Sequence, residues 1–67
     1  MLRLRAIELL NERGRSKYWL WMQLNMSYQN FNRMITNQTK SIRYESIEAM
    51  CVIFSVEPNE LFEYDFK

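Results

Sequence analysis

The feature that most constrains this fold is the absence of covalent or metal cross-links in a short chain. The 67 residues include one cysteine, Cys51, and no histidine, so neither an intrachain disulfide nor a histidine-containing zinc site is available. A core of this size retains only roughly a few kcal/mol once conformational entropy is subtracted. With 48% hydrophobic residues, residues 1–67 are predicted to form one small globular domain. The remaining sources of stability are an aromatic-rich core, alone or together with a second subunit.

The single glycine and the single proline mark two predicted helix boundaries. Gly14 follows an apolar pattern at helical spacing, where a helix C-cap needs a residue that tolerates positive φ, which predicts a first helix over residues 5–13. Pro58 suits the first turn of a last helix over residues 58–62. Between them, residues 44–54 carry an amphipathic stripe that predicts another helix. The stripe consists of Tyr44, Ile47, Met50, Cys51 and Phe54.

Both ends of the chain alternate polar and apolar residues. Residues 1–5 alternate apolar with basic side chains, and residues 61–66 alternate apolar with acidic ones, a period of two that is typical of strands. Antiparallel pairing would bring Arg3 and Arg5 beside Glu63 and Asp65. Unpaired ends are the alternative, so the predicted fold is an all-α, five-helix domain with a small two-stranded β pairing as an optional addition.

The middle of the chain contains two predicted helices joined by a short turn. Ser16 is an N-cap candidate for a helix over residues 17–24, and Ser27 is one for a helix over residues 28–36. Asn25 and Asn37 follow these helices as residues that tolerate the left-handed conformation. Residues 37–43 are polar apart from Ile42 and are interpreted as a loop.

The spacing of residues 17–36 is that of a helix-turn-helix, in which the second helix enters the DNA major groove. An ordinary helical hairpin is the alternative. If Phe31, Met34 and Ile35 face the core, the outward residues of the second helix are Tyr28, Gln29, Asn32 and Arg33, with Asn30 on the flank. Amides of Gln and Asn suit adenine and the Arg guanidinium suits guanine. None of these residues is acidic, as expected for a surface that approaches phosphates.

The net charge of +1 hides an asymmetry along the chain. Residues 1–43 carry eight basic and two acidic side chains, a net charge of +6, whereas residues 44–67 carry one basic and six acidic ones, a net charge of −5. Such asymmetry indicates nucleic-acid or membrane contact on the basic side, and solvated surface charge is the alternative. With Arg3 and Arg5 neutralised at the chain ends, the basic residues left for DNA are Arg13, Arg15, Lys17, Arg33, Lys40 and Arg43.

From residue 5 to residue 61 the sequence resembles a Cro-type, lambda-repressor-like helix-turn-helix domain of the broad XRE class. The match is carried by Leu9, Leu10, Gly14, Leu20, residues 26–34, residues 39–47, residues 50–54 and the ending Val56-Glu57-Pro58-Asn59-Glu60-Leu61-Phe62. Three positions depart from the family pattern: Trp21 stands where Ala is usual, Asn25 where Gly is usual, and Ile35 where Glu is frequent. The indole requires the two central helices to be spaced or tilted to admit it.

The resemblance implies a sequence-specific DNA-binding transcription regulator, a phage or bacterial repressor or Cro-like factor that binds operator DNA as a homodimer. It implies base contacts from Tyr28, Gln29, Asn32 and Arg33. It also implies phosphate contacts from Lys17, Ser27, Asn30, Lys40, Ser41 and Arg43.

Trp19 and Met22 are large apolar residues on a face that is usually polar in this family. If exposed, they would mark a protein interface; burial through a twist of the domain is the alternative. The candidate protein interface comprises Trp19, Met22, Phe62, Tyr64 and Phe66. It supports a second function, a protein-interaction module such as an antirepressor or regulatory adaptor that uses the acidic C-terminal half.

Enzymatic chemistry is not expected. The chain has no histidine, and its cysteine lies within the apolar run of residues 49–54, so the usual catalytic groups cannot be assembled. No cofactor and no metal are expected either. That apolar run is too short to span a bilayer, and no targeting signal is recognised, so the sequence predicts a cytoplasmic protein without membrane contact.

Overall fold

A computed structural model describes residues 1–66 of the chain. Within that range the elements follow in the order β1 (Leu2–Leu4), α1 (Ala6–Glu12), α2 (Lys17–Trp21), α3 (Tyr28–Ile35), α4 (Tyr44–Phe54), α5 (Pro58–Leu61) and β2 (Phe62–Tyr64). The five helices agree with the prediction. The two terminal strands form an antiparallel sheet, so a purely all-α description is only roughly right.

The hydrophobic core is built from all five helices and the first strand. No polar or charged side chain of residues 1–66 is buried in it. Full burial of such an apolar side chain contributes about 1.5–3 kcal/mol, which is how a chain without cross-links reaches stability. The buried side chains are Leu4, Ala6, Leu9, Leu10, Leu20, Phe31, Met34, Ile35, Met50, Phe54 and Leu61.

The pairing of the chain ends is confirmed, with one correction. Arg3 lies opposite Glu63 and forms an ion pair with it. Arg5 lies beside neither Glu63 nor Asp65, because the register that pairs Arg3 with Glu63 places Arg5 opposite Leu61. Its side chain turns towards α1 and α5. Its guanidinium donates a hydrogen bond of 2.8 Å to the Glu60 carbonyl and lies 3.4 Å from Glu12.

The first and third helices end as predicted. Gly14 has φ +64° and Asn37 has φ +61°. In each case the next residue donates back to the helix, with Arg15 N to Leu10 O at 2.9 Å and Gln38 N to Arg33 O at 2.8 Å. These are the bonds of the Schellman C-cap, in which one left-handed residue satisfies the last carbonyls.

Four expectations about the helices were wrong. The second helix ends at Trp21 instead of Leu24, and Asn25 does not have positive φ, because the reversal is spread over residues 22–27. The fifth helix ends at Leu61, since Phe62 begins β2. Tyr44 belongs to the predicted stripe but is exposed. As the first residue of α4 its side chain points back beyond the helix end, where there is no turn to cover.

Candidate nucleic-acid interface

Two serine N-caps define the helix pair at the centre of the chain. The Ser16 hydroxyl accepts a hydrogen bond of 3.1 Å from the backbone of Trp19, and the Ser27 hydroxyl accepts one of 3.2 Å from the backbone of Asn30. Each cap satisfies an amide that has no partner within its helix. Both caps were predicted, and they fix where α2 and α3 begin.

Trp21 occupies the angle between α2 and α3. Its indole Nε1 donates a hydrogen bond of 2.9 Å to the Met26 carbonyl, so the turn closes around the ring instead of around a small residue. The ring also lies 5.5 Å from that of Tyr18 and 5.2 Å from that of Tyr28. The sequence indicated that an indole must be admitted here, but not which backbone group it would bind.

The orientation of α3 agrees with the predicted division into an inner and an outer face. Phe31, Met34 and Ile35 are buried, which turns the polar side chains of the helix towards solvent. The exposed residues are Tyr28, Gln29, Asn30 and Arg33, and Asn32 is half-buried.

A groove of about 450 Å³ lies between α3 and the loop that leads to α4. Five of the predicted DNA-contacting residues line this groove: Ser27, Asn30, Arg33, Ser41 and Arg43. The rest of its lining comes from Asn25, Met26, Met34, Thr39 and Ile42. No carboxylate lines it, and neither arginine forms an ion pair with any described acidic residue. Two guanidinium groups that form no ion pair with a described carboxylate, beside hydroxyl and amide donors, suit an anionic ligand.

Local bonds shape the loop that closes this groove. The Thr39 hydroxyl donates to the Ser41 carbonyl at 2.9 Å and accepts from the Ser41 amide at 3.4 Å. Ile42 packs against the core, and Arg43 is the N-cap residue of α4. The sequence identified this segment only as a polar loop; its Thr-x-Ser pattern is the local signal of such a turn.

The other predicted contact residues lie outside the groove. Lys40 lines a second depression, of about 470 Å³, together with Leu2 and Phe62. Lys17 is exposed at the start of α2. Tyr28, Gln29 and Asn32 belong to α3 but do not line the groove.

Two of the basic residues assigned to DNA on charge alone have partners elsewhere. Arg13 donates a hydrogen bond of 2.7 Å to the Phe54 carbonyl, and its guanidinium lies 5.4 Å from the centre of the Phe54 ring. Arg15 lies 5.0 Å from the centre of the Trp19 ring. Arg13 therefore joins α1 to the end of α4, a role that no sequence signal indicated.

The candidate protein interface is divided between α2 and the terminal strands. Trp19 is half-buried, with its ring centroid 6.4 Å from that of Phe54, and packs in part against the core. Met22 is 61% exposed. At the chain ends Phe62 is half-buried, whereas Tyr64 and Phe66 are exposed with their rings 4.7 Å apart.

Comparison with protein families gives a match over most of the chain. A family model described as a Cro/C1-type HTH DNA-binding domain matches residues 7–67. No curated protein and no solved structure matches the chain. Among residues 1–66, no helix combines the length and apolar character needed to cross a bilayer.

Proposed function

The chain belongs to the Cro/C1-type helix-turn-helix DNA-binding family, as its sequence resemblance indicated, and from this premise we propose that it is a sequence-specific transcription regulator. The family is one of DNA-binding regulators and not of enzymes. In the proposed function, residues 1–67 act as one cytoplasmic DNA-binding domain of the phage or bacterial repressor and Cro-like kind. The domain occupies an operator with α3 in the major groove.

The observation that carries this proposal is the shared groove between α3 and the loop before α4. It combines Arg33, which belongs to the outward face of α3, with Arg43 and the Ser27 hydroxyl. A helix in the major groove has phosphates on both sides, so one arginine on the helix and one on the adjacent loop can engage base edges and backbone together.

The remaining roles follow the family resemblance. Base contacts are assigned to Tyr28, Gln29, Asn32 and Arg33. Phosphate contacts are assigned to Lys17, Ser27, Asn30, Lys40, Ser41 and Arg43. A homodimer would place two copies of α3 on half-sites about one helical turn apart.

The test begins with duplexes selected from a random pool by the purified protein. We expect the logarithm of the affinity to fall linearly with the logarithm of the salt concentration, since each neutralised phosphate releases counterions. Arg33→Ala should weaken binding about 5- to 150-fold, or about 1–3 kcal/mol, and relax the preference at one base pair. Arg43→Ala should weaken binding to all duplexes alike and lower the salt slope by about one.

Arg5→Gln is the matched control for these variants. It removes the same charge from a residue that contacts Glu12 and Glu60 and does not line the groove. We expect its folded fraction to bind with the wild-type sequence preference. If Arg33→Ala and Arg5→Gln lost the same affinity and neither changed the sequence preference, the assignment of Arg33 to a base would be contradicted.

A second candidate function is that of a protein-interaction module on the same scaffold, as in an antirepressor or adaptor. The observation that favours it is the exposure of Met22, at 61%, and of Val52, at 78%. Val52 lies in a depression of about 450 Å³ together with Glu45 and Glu48. Absence of any DNA binding at low salt would favour this function over the first.

A further inference from the structure

We propose that Trp21 is a positioning residue that fixes the orientation of Tyr28 and thereby contributes to the sequence preference of α3. Trp21 lies on α2 and is not among the residues assigned to DNA. The inference rests on the proposed DNA-binding function. It extends that function by assigning part of the specificity to a residue that reads no base itself.

The first step is the hydrogen bond by which Trp21 fixes the turn between α2 and α3. Residues 25 and 26 make no backbone–backbone hydrogen bond within the described chain. The bond from the Trp21 indole to the Met26 carbonyl, at 2.9 Å, is therefore the polar contact that fixes this part of the turn. Ser27, the N-cap of α3, comes immediately after Met26, so the indole holds the residue that precedes the cap.

The second step is the contact with Tyr28, the first residue of α3. The Trp21 and Tyr28 rings meet edge to face, with an interplanar angle of 90° and centroids 5.2 Å apart. The ring of Phe31, which is fully buried, lies on the same tyrosine with the two ring centroids 5.7 Å apart. Tyr28 is thus held between a residue of α2 and a residue of the core, while 43% of its surface stays exposed.

The third step is the consequence for recognition. Residues at the N-terminal end of a recognition helix contact base edges, so Tyr28 is in a position to place its ring against a thymine methyl group or its hydroxyl on a base edge. A side chain fixed before binding loses less conformational freedom in the complex. It also discriminates better, because it cannot shift to accommodate another base. The edge-to-face contact with Trp21 supplies this fixed orientation.

Trp19 provides a matched control on the same helix. It is also a half-buried indole, but its ring contacts Phe54 and Arg15 instead of α3. Trp19→Phe and Trp21→Phe remove the same indole nitrogen and the same ring area. Only Trp21→Phe also removes an indole hydrogen bond, the one to the Met26 carbonyl, and only Trp21→Phe alters the surroundings of Tyr28. Its effect on folding should therefore be the larger of the two, and discrimination is compared for the folded fraction of each variant.

The experiment measures the affinity of folded protein for the selected duplex and for all its single-base-pair variants. We expect Trp21→Phe to lower the discrimination at the base pair read by Tyr28 at least threefold and to leave the salt slope unchanged. Trp19→Phe should lower the melting temperature without changing the discrimination. Trp21→Tyr keeps a large ring without the indole N–H, and it serves if Trp21→Phe is unfolded at the assay temperature.

A double-mutant cycle separates positioning from a general loss of structure. In the Tyr28→Ala background, Trp21→Phe should cause no further loss of discrimination at that base pair. Wild-type discrimination in folded Trp21→Phe would overturn the inference, and so would an equal loss in the presence and absence of Tyr28. A wild-type chain that binds no duplex at all would instead overturn the proposed function, and this inference with it.

Discussion

Three described residues adopt positive φ, and each of them ends a helix. Gly14 follows α1, Asn37 follows α3 and Ser55 follows α4, with φ values of +64°, +61° and +55°. Only glycine adopts this region without cost, since a Cβ atom there approaches the following carbonyl oxygen at about 1–2 kcal/mol. The chain therefore has its one glycine at one of three equivalent positions and accepts strain at Ser55.

Substitutions at Gly14 and Ser55 should have opposite effects on stability. Outside its two chain neighbours, no atom lies within 4 Å of the position that a Cβ would take at Gly14, so Gly14→Ala introduces local backbone strain without a clash with the rest of the fold and should cost about 1 kcal/mol. Ser55→Gly removes strain and should stabilise by about 0.5–1 kcal/mol after the added entropy of the unfolded chain. Urea unfolding of both variants tests this, and a stabilised Gly14→Ala would contradict the argument.

Asn25 and Asn37 show why residue type alone did not locate the left-handed turns. Both asparagines tolerate positive φ, yet only Asn37 adopts it. The Asn37 side-chain oxygen accepts a hydrogen bond of 2.7 Å from the Leu4 amide, and its nitrogen donates one of 3.1 Å to the Leu4 carbonyl. At the turn that contains Asn25, the Trp21 indole holds the chain reversal through its hydrogen bond to the Met26 carbonyl. The outcome at each asparagine depends on a partner that local preference does not specify.

At the scale of elements, α2 and the terminal sheet are both too small to be stable alone. A five-residue helix and a two-stranded sheet are each marginal in water. The buried side chain of Leu20 anchors α2, and Leu4 anchors β1. Asn37 adds a link between elements, because its amide pairs with Leu4 and joins the end of α3 to the sheet.

Two substitutions at Asn37 separate this link from backbone conformation. Asn37→Gly keeps the left-handed turn but leaves the part-buried amide and carbonyl of Leu4 without their partner, which should cost about 1–3 kcal/mol. Asn37→Ala adds strain and should cost about 1 kcal/mol more. Thermal unfolding compares them, at about 4–8 °C per kcal/mol for a domain of this size. An Asn37→Gly protein as stable as the wild type would show that the link contributes nothing.

At the scale of the whole molecule, the charge asymmetry along the sequence corresponds in part to a separation of basic and acidic surfaces. Arg33 and Arg43 line the groove, whose lining includes no acidic residue, while Glu45 lies beside Arg43 in a neighbouring depression and Glu48 is exposed on α4. Arg3 forms ion pairs with Glu8, at 2.9 Å, and with Glu63. Lys67, which was counted with the acidic half, lies outside the described residues. The groove is thus more basic than the net charge suggests.

The terminal sheet gives the proposed homodimer a testable interface. Leu2 lies opposite Tyr64, and both are exposed, at 60% and 57%, next to Phe66 at 89%. We expect the double substitution Tyr64→Ser and Phe66→Ser to convert the dimer to a monomer in sedimentation experiments. It should also lower the affinity for a duplex with two half-sites more than for one with a single half-site.

Met22→Ser is the control for this experiment, since it removes an exposed apolar side chain from α2 instead of the sheet. It should leave the dimer intact. Dissociation of the dimer by Met22→Ser alone would indicate that the interface lies on α2. An unchanged dimer in the Tyr64→Ser and Phe66→Ser variant would exclude the sheet as the interface.

The sequence by itself determined the parts of this protein that depend on neighbouring residues. Serine caps, the Gly14 and Asn37 stops and apolar spacing predicted five helices, the inner face of α3 and its polar outer face. Each of these signals acts within one or two turns of chain. The same local patterns carried the family resemblance, which the family match confirms.

Apart from the pairing of the two chain ends, only the tertiary structure decided which distant groups meet. The contact of Asn37 with Leu4 joins residues 33 positions apart, and that of Arg13 with Phe54 joins residues 41 positions apart. The groove likewise depends on the placement of α3 beside the following loop. The hydrogen bond from Trp21 to the Met26 carbonyl depends on the geometry of the closed turn. Such contacts depend on how the helices pack around one core, since many packings satisfy the same local patterns and the complete set of buried side chains selects among them.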